Sequence, residues 1–297
     1  MIKLDFWGNI LGVHSKNAKD IDRVKYIFKK FIYLGEKIAD IEIVLTGEND
    51  EKCYIDSIIK DKSKGKIEYK DKNSEMYVKW NFDDTPFPPM QLEPFKRKYI
   101  VLHGMGVVNQ NGQSFIFPAP SLAGKTSLMT YMVSKGYKCI SDDLLFIDTE
   151  TMMVYPYPKP VGIRERGINM IPDLYDIVRP LINDDTLSFT ESDSGKKVWL
   201  LHLDDIYYDC YVKKGVKIDY IIFPDKVVRK NNYFKKISKD KALMRLMNSL
   251  CNSSGDMSQN FTVLTCILDR TKGIYDLPTN NLKKAYEIIE SIEKNEA

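Results

Sequence analysis

The residues most capable of chemistry lie between Ser114 and Asp143. The apolar run Ser114–Phe117 leads into Pro118-Ala119-Pro120-Ser121-Leu122-Ala123-Gly124-Lys125-Thr126, followed by Ser127 and helix-forming sequence. This is the spacing of a phosphate-binding loop, G-x-x-x-x-G-K-[ST], with Ala119 at the first glycine position. Such a loop turns backbone N–H groups inward on a polyphosphate at a helix N-terminus, where the helix dipole favours an anion. Lys125 is placed to reach the β/γ oxygens, and the Thr126 hydroxyl to ligate magnesium. Alanine at position 119 serves if that backbone does not need positive φ. Sixteen residues beyond Thr126, a strand-like stretch ends in Asp142-Asp143. Adjacent carboxylates beside a triphosphate have two natural tasks, holding magnesium and accepting a proton from an attacking hydroxyl. His103, in Leu102-His103-Gly104, is a third candidate, although a lone histidine is more often a packed residue than a catalytic one.

The elements that must position these groups can be read from periodicity. Tyr99–Leu102 and Ser114–Phe117 are short apolar strands, joined through a turn at Asn109-Gln110-Asn111-Gly112. A helix is expected from Thr126 to Lys135, stopped by Gly136. Tyr137–Ser141, Leu144–Asp148, Ile218–Phe223 and Thr262–Leu268 read as strands. Lys241–Leu250 and Asn281–Ile292 read as amphipathic helices. Strands alternating with helices make residues 99–297 an α/β domain.

Residues 1–98 read as a small α+β domain. A helix is expected from about Asn17 to Ile38, with Asn17 or Asp20 as its N-cap. Met76, Val78, Trp80 and Phe82 alternate as a half-buried strand that returns through Lys70–Ser74 to Lys66–Tyr69. The lysine-rich run from Lys60 to Lys72 is interrupted by Asp61, Glu68 and Asp71, so it reads as a solvated hairpin face. Asp84–Met90, rich in proline, is the expected linker.

Composition narrows the partners. The 297 residues carry 44 Lys+Arg against 41 Asp+Glu, a formal +3. That balance argues against binding nucleic acid by bulk phosphate attraction. No apolar run reaches the roughly 18 residues of a membrane span, and the N-terminus lacks signal-peptide features. Five widely spaced cysteines without a CxxC pair fit free thiols in a reducing cytoplasm. The polar run from Asn183 to Lys197 suits either a surface excursion or a loop over the site.

Taken together, His103-Gly104, the 119–126 loop, the helix ending at Lys135-Gly136 and Ile140-Ser141-Asp142-Asp143 resemble the HPr kinase/phosphorylase family. The nearer likeness is to its short relatives, the HPr-kinase-like serine kinases found beside peptide-modification genes. The resemblance is close from Tyr99 to Asp148 and looser to the C-terminus. It implies a P-loop domain of the HPr kinase / PEP carboxykinase type behind a small N-terminal α+β domain that helps recognise substrate. It also implies ATP and Mg2+, with phosphoryl transfer to a Ser/Thr hydroxyl of a peptide or small protein, such as a ribosomally made precursor peptide. Ala119 through Ser127 would bind the nucleotide, Thr126 and Asp143 the metal. Asp142 is favoured as base, and His103 and Lys125 would lie at the transferred phosphate.

The family's Glu-Ile-Arg-Gly signature is altered here. Aligning Ile163-Arg164 puts Gly162 at the glutamate, with Glu165 one register away. Arg164 and Arg166 suit phosphate or substrate contacts, and equally a surface ion pair. This departure, with the unusual N-terminal domain, favours an acceptor other than HPr. A small-metabolite kinase acting on free serine or a sugar, and a non-catalytic nucleotide-binding regulatory module, are the alternatives; homo-oligomerisation is left open.

Overall fold

The computed structural model spans residues 1–297. It describes all but 16, 50–51, 60–66, 70–78, 81–94, 121–122, 165–178, 183–187, 191–196, 226–234, 252–255, 280 and 296–297. The chain forms two compact units, Met1–Phe95 and Lys96–Ala297.

In the first unit, β1 (Ile2–Phe6) and β2 (Asn9–Ser15) form a hairpin through a two-residue turn at Trp7-Gly8. The helix Ala18–Ile27 then carries the chain to β3 (Ile41–Asn49), which pairs parallel with β2. A parallel pair needs such a crossover. Asn17 caps this helix, its side chain accepting from the Lys19 amide. The helix stops at Ile27, well short of the expected Ile38. Phe28 and Phe31 turn inward instead, where their rings meet Phe6, so core packing overrides the helical spacing.

β4 (Lys52–Ile59) pairs antiparallel with β3 and also takes both β5 (Ile67–Tyr69) and β6 (Lys79–Trp80). The two strands expected to form a hairpin with each other are therefore both partners of β4. The Lys70–Ser74 turn, Met76, Val78, Phe82 and the Asp84–Met90 linker lie outside the described residues.

The second unit is a mixed α/β structure built on an eight-stranded sheet. Its strands are β7 (Tyr99–Val108), β8 (Ser114–Pro118), β9 (Lys138–Ser141), β10 (Leu144–Asp148), β11 (Val154–Tyr155), β15 (Tyr220–Asp225), β16 (Lys235–Lys236) and β17 (Gly273–Pro278). The order is β11-β10-β7-β8-β15-β17-β16, with β9 also on β7. β7 and β8 are antiparallel, as are β7 and β10, while β8, β15 and β17 run parallel. A separate three-stranded sheet joins β12 (Val161–Arg164), β13 (Ser188–Thr190) and β14 (Lys197–Leu201).

Period-2 alternation divides the apolar side chains between two helix layers. Phe115, Phe117, Tyr220 and Ile222 pack with the helices Lys125–Ser134 and Leu282–Asn295. Ile116, Ile221, Phe223 and Ile274 pack on the opposite side with Lys239–Met247 and Met257–Arg270. The segment Thr262–Leu268, expected as a strand, lies inside that last helix. Val263, Leu264, Ile267 and Leu268 are buried along one stripe of it, and Asp256 caps it through the Ser258 amide. The strand beside β15 is instead Gly273–Pro278.

β7 also runs further than expected, so His103-Gly104 sits in mid-strand, where the partners change. Up to His103 the strand faces Leu144 on β10; from Gly104 it faces Pro118 on β8. A Cβ on Gly104 would stand 2.9 Å from the Phe117 carbonyl oxygen and 3.0 Å from Pro118 Cα. Only glycine allows β8 to close onto β7 at that point and deliver the following loop beside His103. Among the described helices, none is long and apolar enough to cross a membrane.

Candidate active site

The buried strand β8 anchors one end of the 119–126 loop and the Lys125–Ser134 helix anchors the other. Ala119 is itself buried and donates its amide to the His103 carbonyl at 3.1 Å. The non-glycine residues at positive φ among those described are Trp7, Met152 and Asp209. Ala119 is not among them, so the absent glycine costs nothing at that position. Gly124 does need its freedom, with φ 83° and ψ 13° as it opens the helix. No side chain among the described residues caps this helix. Its first-turn amides therefore form the anion-favouring end that the spacing called for. Ser121 and Leu122 lie outside the described residues, and Ser127 follows in the first turn.

Lys125 is 7% exposed. Its Nζ donates to the carbonyls of Ala119 at 2.7 Å and Pro120 at 2.8 Å, and lies 3.3 Å from His103 Nε2. The lysine thus spans the loop from helix to strand end. Thr126 points the other way, and its hydroxyl donates to Asp142 Oδ2 at 3.0 Å.

The bend between β9 and β10, which follow one another along β7, supplies both carboxylates, in different surroundings. Asp142 is buried, and its Oδ1 has no hydrogen-bond partner among the described residues. Asp143 is about one-third exposed, with Oδ1 3.2 Å from His103 Nε2 and Oδ2 3.0 Å from Lys159 Nζ. Burial, reinforced by the neighbouring charge of Asp143, raises the Asp142 carboxyl to about 6, against the Thr126 hydrogen bond and the nearby lysines. Burial also pushes Asp143 upward, but Lys159 and His103 more than reverse this and hold it well below the usual carboxylate range. The pair is therefore split into one carboxyl that can exchange a proton near neutrality and one held ionised.

A pH profile follows from the split. If Asp142 must be ionised to accept a proton, activity is expected to rise with pH through about 6 and level off above it. A kcat/KM series for Mg-ATP from pH 5 to 8, which reads the free chain, checks this; a flat profile would show that Asp142 accepts no proton.

The donor set suits a magnesium ion that arrives on nucleotide phosphates. Thr126 offers a hydroxyl beside a carboxylate with an unpartnered oxygen. No group of three His, Cys, Asp or Glu among the described residues forms a site that would hold a metal unaided. Magnesium is commonly bound through one or two protein oxygens plus phosphates and water. Asp143, named with Thr126 from the resemblance, already has both oxygens engaged and joins a metal only by releasing His103 or Lys159. Asp142, not Asp143, is the carboxylate in contact with Thr126.

Arg164 ends β12 in the three-stranded sheet and is half-buried. Glu165 and Arg166 lie outside the described residues. The residue missed from the sequence is Lys159, whose signal is slight: a single cation between Pro158 and Pro160, where extended backbone is enforced.

No protein-family model matches the chain, and no curated protein matches its sequence. Among solved structures it is similar to the HPr(Ser) kinase/phosphatase from Coxiella burnetii, with a TM-score of 0.31 and 9% identity. The match covers 66% of this chain and 99% of that one. A likeness at that score assigns no role to any residue of the site.

Proposed function

We propose that the chain is an ATP- and magnesium-dependent kinase that phosphorylates a Ser or Thr hydroxyl of a peptide or small protein. The observation that carries this is one set of contacts: Asp142 to Thr126, Lys125 to the loop carbonyls and His103, His103 to Asp143, and Asp143 to Lys159. It joins a phosphate-type loop to a carboxyl able to take a proton near neutral pH.

In this reading the loop amides and Lys125 hold the β/γ phosphates, and the Thr126 hydroxyl would hold the metal together with phosphate oxygens, where it would supply charge neutralisation. The acceptor oxygen forms the new P–O bond as the bond from the γ-phosphorus to the β,γ-bridging oxygen breaks, and ADP leaves with that electron pair. The hydroxyl proton passes to Asp142, whose Oδ1 is unpartnered. Asp143 remains ionised and keeps His103 and Lys159 in place. Positioning and charge stabilisation of this kind carry most of the work in phosphoryl transfer.

The test is incubation of the purified chain with γ-labelled ATP, magnesium and a pool of serine- and threonine-centred peptides. Label is expected on peptide hydroxyls and is expected to vanish with EDTA. Magnesium-ATP binding without transfer to any acceptor would leave a regulatory module as the answer, and transfer to free serine or sugars alone would favour the metabolite kinase.

A further inference from the structure

A cavity of about 390 Å³ adjoins the site. Pro118, Ala119, Pro120 and His103 form the wall it shares with the loop; the remaining wall includes Phe223, Arg245 and the 248–251 segment. This size falls within the range of clefts that hold small ligands, about 300–1,000 Å³.

The shared wall decides which end of a bound nucleotide the cavity meets. A phosphate loop holds the inner phosphates at its helix end, and its lysine reaches towards the γ end. Here Lys125 Nζ lies on the Ala119 and Pro120 carbonyls and beside His103, all of which line the cavity. The space therefore opens on the end of the site where phosphoryl transfer occurs.

Its far wall is fixed to the same strand as His103. The His103 amide donates to the Ser249 carbonyl at 2.7 Å, and the Cys251 amide to the Val101 carbonyl at 2.8 Å. Leu250 bridges to Leu102 between them. Cys251 also feels the charges of Asp143, Lys125 and Lys159, although burial is the main reason its thiol is pushed up to about 12 and stays neutral.

The lining also indicates the charge of the occupant. Among the described residues, its two ionisable nitrogen side chains are both engaged. His103 meets Asp143, while Arg245 forms an ion pair with Asp276 and stacks on the Phe223 ring at 4.1 Å. An anionic group would have to compete with Asp276 for Arg245. An uncharged group meets Pro120 and Leu250 without disturbing either pair.

We propose that this cavity is the acceptor pocket and that it takes an uncharged Ser or Thr side chain of a peptide, with apolar neighbours against Pro120 and Leu250. The proposal rests on the kinase reading above. The acceptor hydroxyl enters past His103, and the bonds to phosphorus are exchanged as described for that reading.

The test uses the full chain and serine-centred peptides flanked by leucine or by glutamate. Cys251→Phe fills the cavity and is expected to raise the KM for the leucine-flanked peptide at least tenfold, with Mg-ATP affinity within twofold of the parent. Asn248→Trp, at the exposed rim, is expected to act in the same direction and carries the test if Cys251→Phe misfolds. Glutamate-flanked peptides are expected to show kcat/KM at least tenfold lower than leucine-flanked ones. Unchanged peptide KM in the folded variants, or Mg-ATP affinity falling in step with it, overturns the pocket assignment. Equal use of the two peptide sets overturns the uncharged specificity. A parent chain that moves no phosphate fails the kinase reading itself, and this proposal with it.

Discussion

Asp142→Asn is expected to cut phosphoryl transfer at least a hundredfold and, at neutral pH, to make the protein more stable. The first effect is the usual scale for losing a positioned general base, about 10²–10⁴-fold. The second follows from burial. Asp142 is 8% exposed and its carboxyl is raised to about 6 in the folded chain, against about 3.9 for an unperturbed aspartate. The folded chain therefore binds this proton more tightly than the unfolded chain does between those values. The stabilising contribution is fully present below about pH 4 and is lost as pH rises through about 6.

At pH 7 the ionised group is thus a burden on the order of 3 kcal/mol, taking about 1.4 kcal/mol per pH unit. Asparagine keeps an oxygen to accept the Thr126 hydroxyl and carries no charge. Thermal unfolding should show the variant several degrees above the parent at pH 7, with the gap closing by pH 4. Asp143 contributes with the opposite sign: its stabilisation is present above the ordinary carboxylate range and is lost as pH falls towards its depressed value. A variant that loses activity but gains no stability at pH 7 would mean that Asp142 is not ionised at a cost.

Lys125→Met is expected to lower Mg-ATP affinity at least a hundredfold and leave transfer below detection. Hydrogen bonds to a charged group are worth about 1.5–3 kcal/mol each. An ammonium meeting two phosphate oxygens thus accounts for roughly 3–6 kcal/mol, or 10²–10⁴ in affinity. Methionine preserves most of the buried stem, so the helix packing of Leu128 and Met129 is retained. The removed partners are the Ala119 and Pro120 carbonyls, and the variant should unfold at somewhat lower temperature for that reason. Isothermal titration with Mg-ATP decides the matter: affinity within threefold of the parent would show that the lysine does not contact phosphate.

The second unit was legible where local pattern and tertiary demand agree. Asn109-Gln110-Asn111-Gly112 makes its turn because the Asn109 carboxamide accepts from the Asn111 and Gln113 amides. The loop helix ends at Ser134, one residue from the expected limit, because Gly136 can take φ 93°. Thr262–Leu268 misled because Thr, Val and Ile favour strands locally, whereas the buried spacing of Val263, Ile267 and Leu268 is helical. Phe28 and Phe31 misled in the opposite sense, having helical spacing in the chain but a destination around Phe6.

The contents of the candidate site could be read from the chain, but not its wiring. Lys125, Thr126, Asp142, Asp143 and His103 are separated in sequence by recognisable elements that end near one another. Lys159 and Cys251 reach the same place from segments without helix or strand periodicity of their own, tied in by long-range contacts. Nor does Asp142-Asp143 reveal from sequence which carboxyl Lys159 will meet. That depends on the pleat through the β9–β10 bend, where successive side chains take opposite sides.

The strand carrying the phosphate-type loop has its two neighbours at very different distances along the chain. β8 pairs with β7 through a short turn, but its other edge waits for β15, where Ser114 and Asp219 exchange hydrogen bonds across 105 positions and Phe115 stacks on Tyr220 at 4.7 Å. At about 5–20 residues per second, translation takes roughly 5–20 s to supply that second neighbour. For that interval the nascent chain presents Phe115, Ile116 and Phe117 on an open strand edge, the sort of surface on which misassembly begins. The geometry that brings the loop and its lysine together therefore matures only late in synthesis, so a ribosome-bound fragment ending before Tyr220 is a natural client for a chaperone.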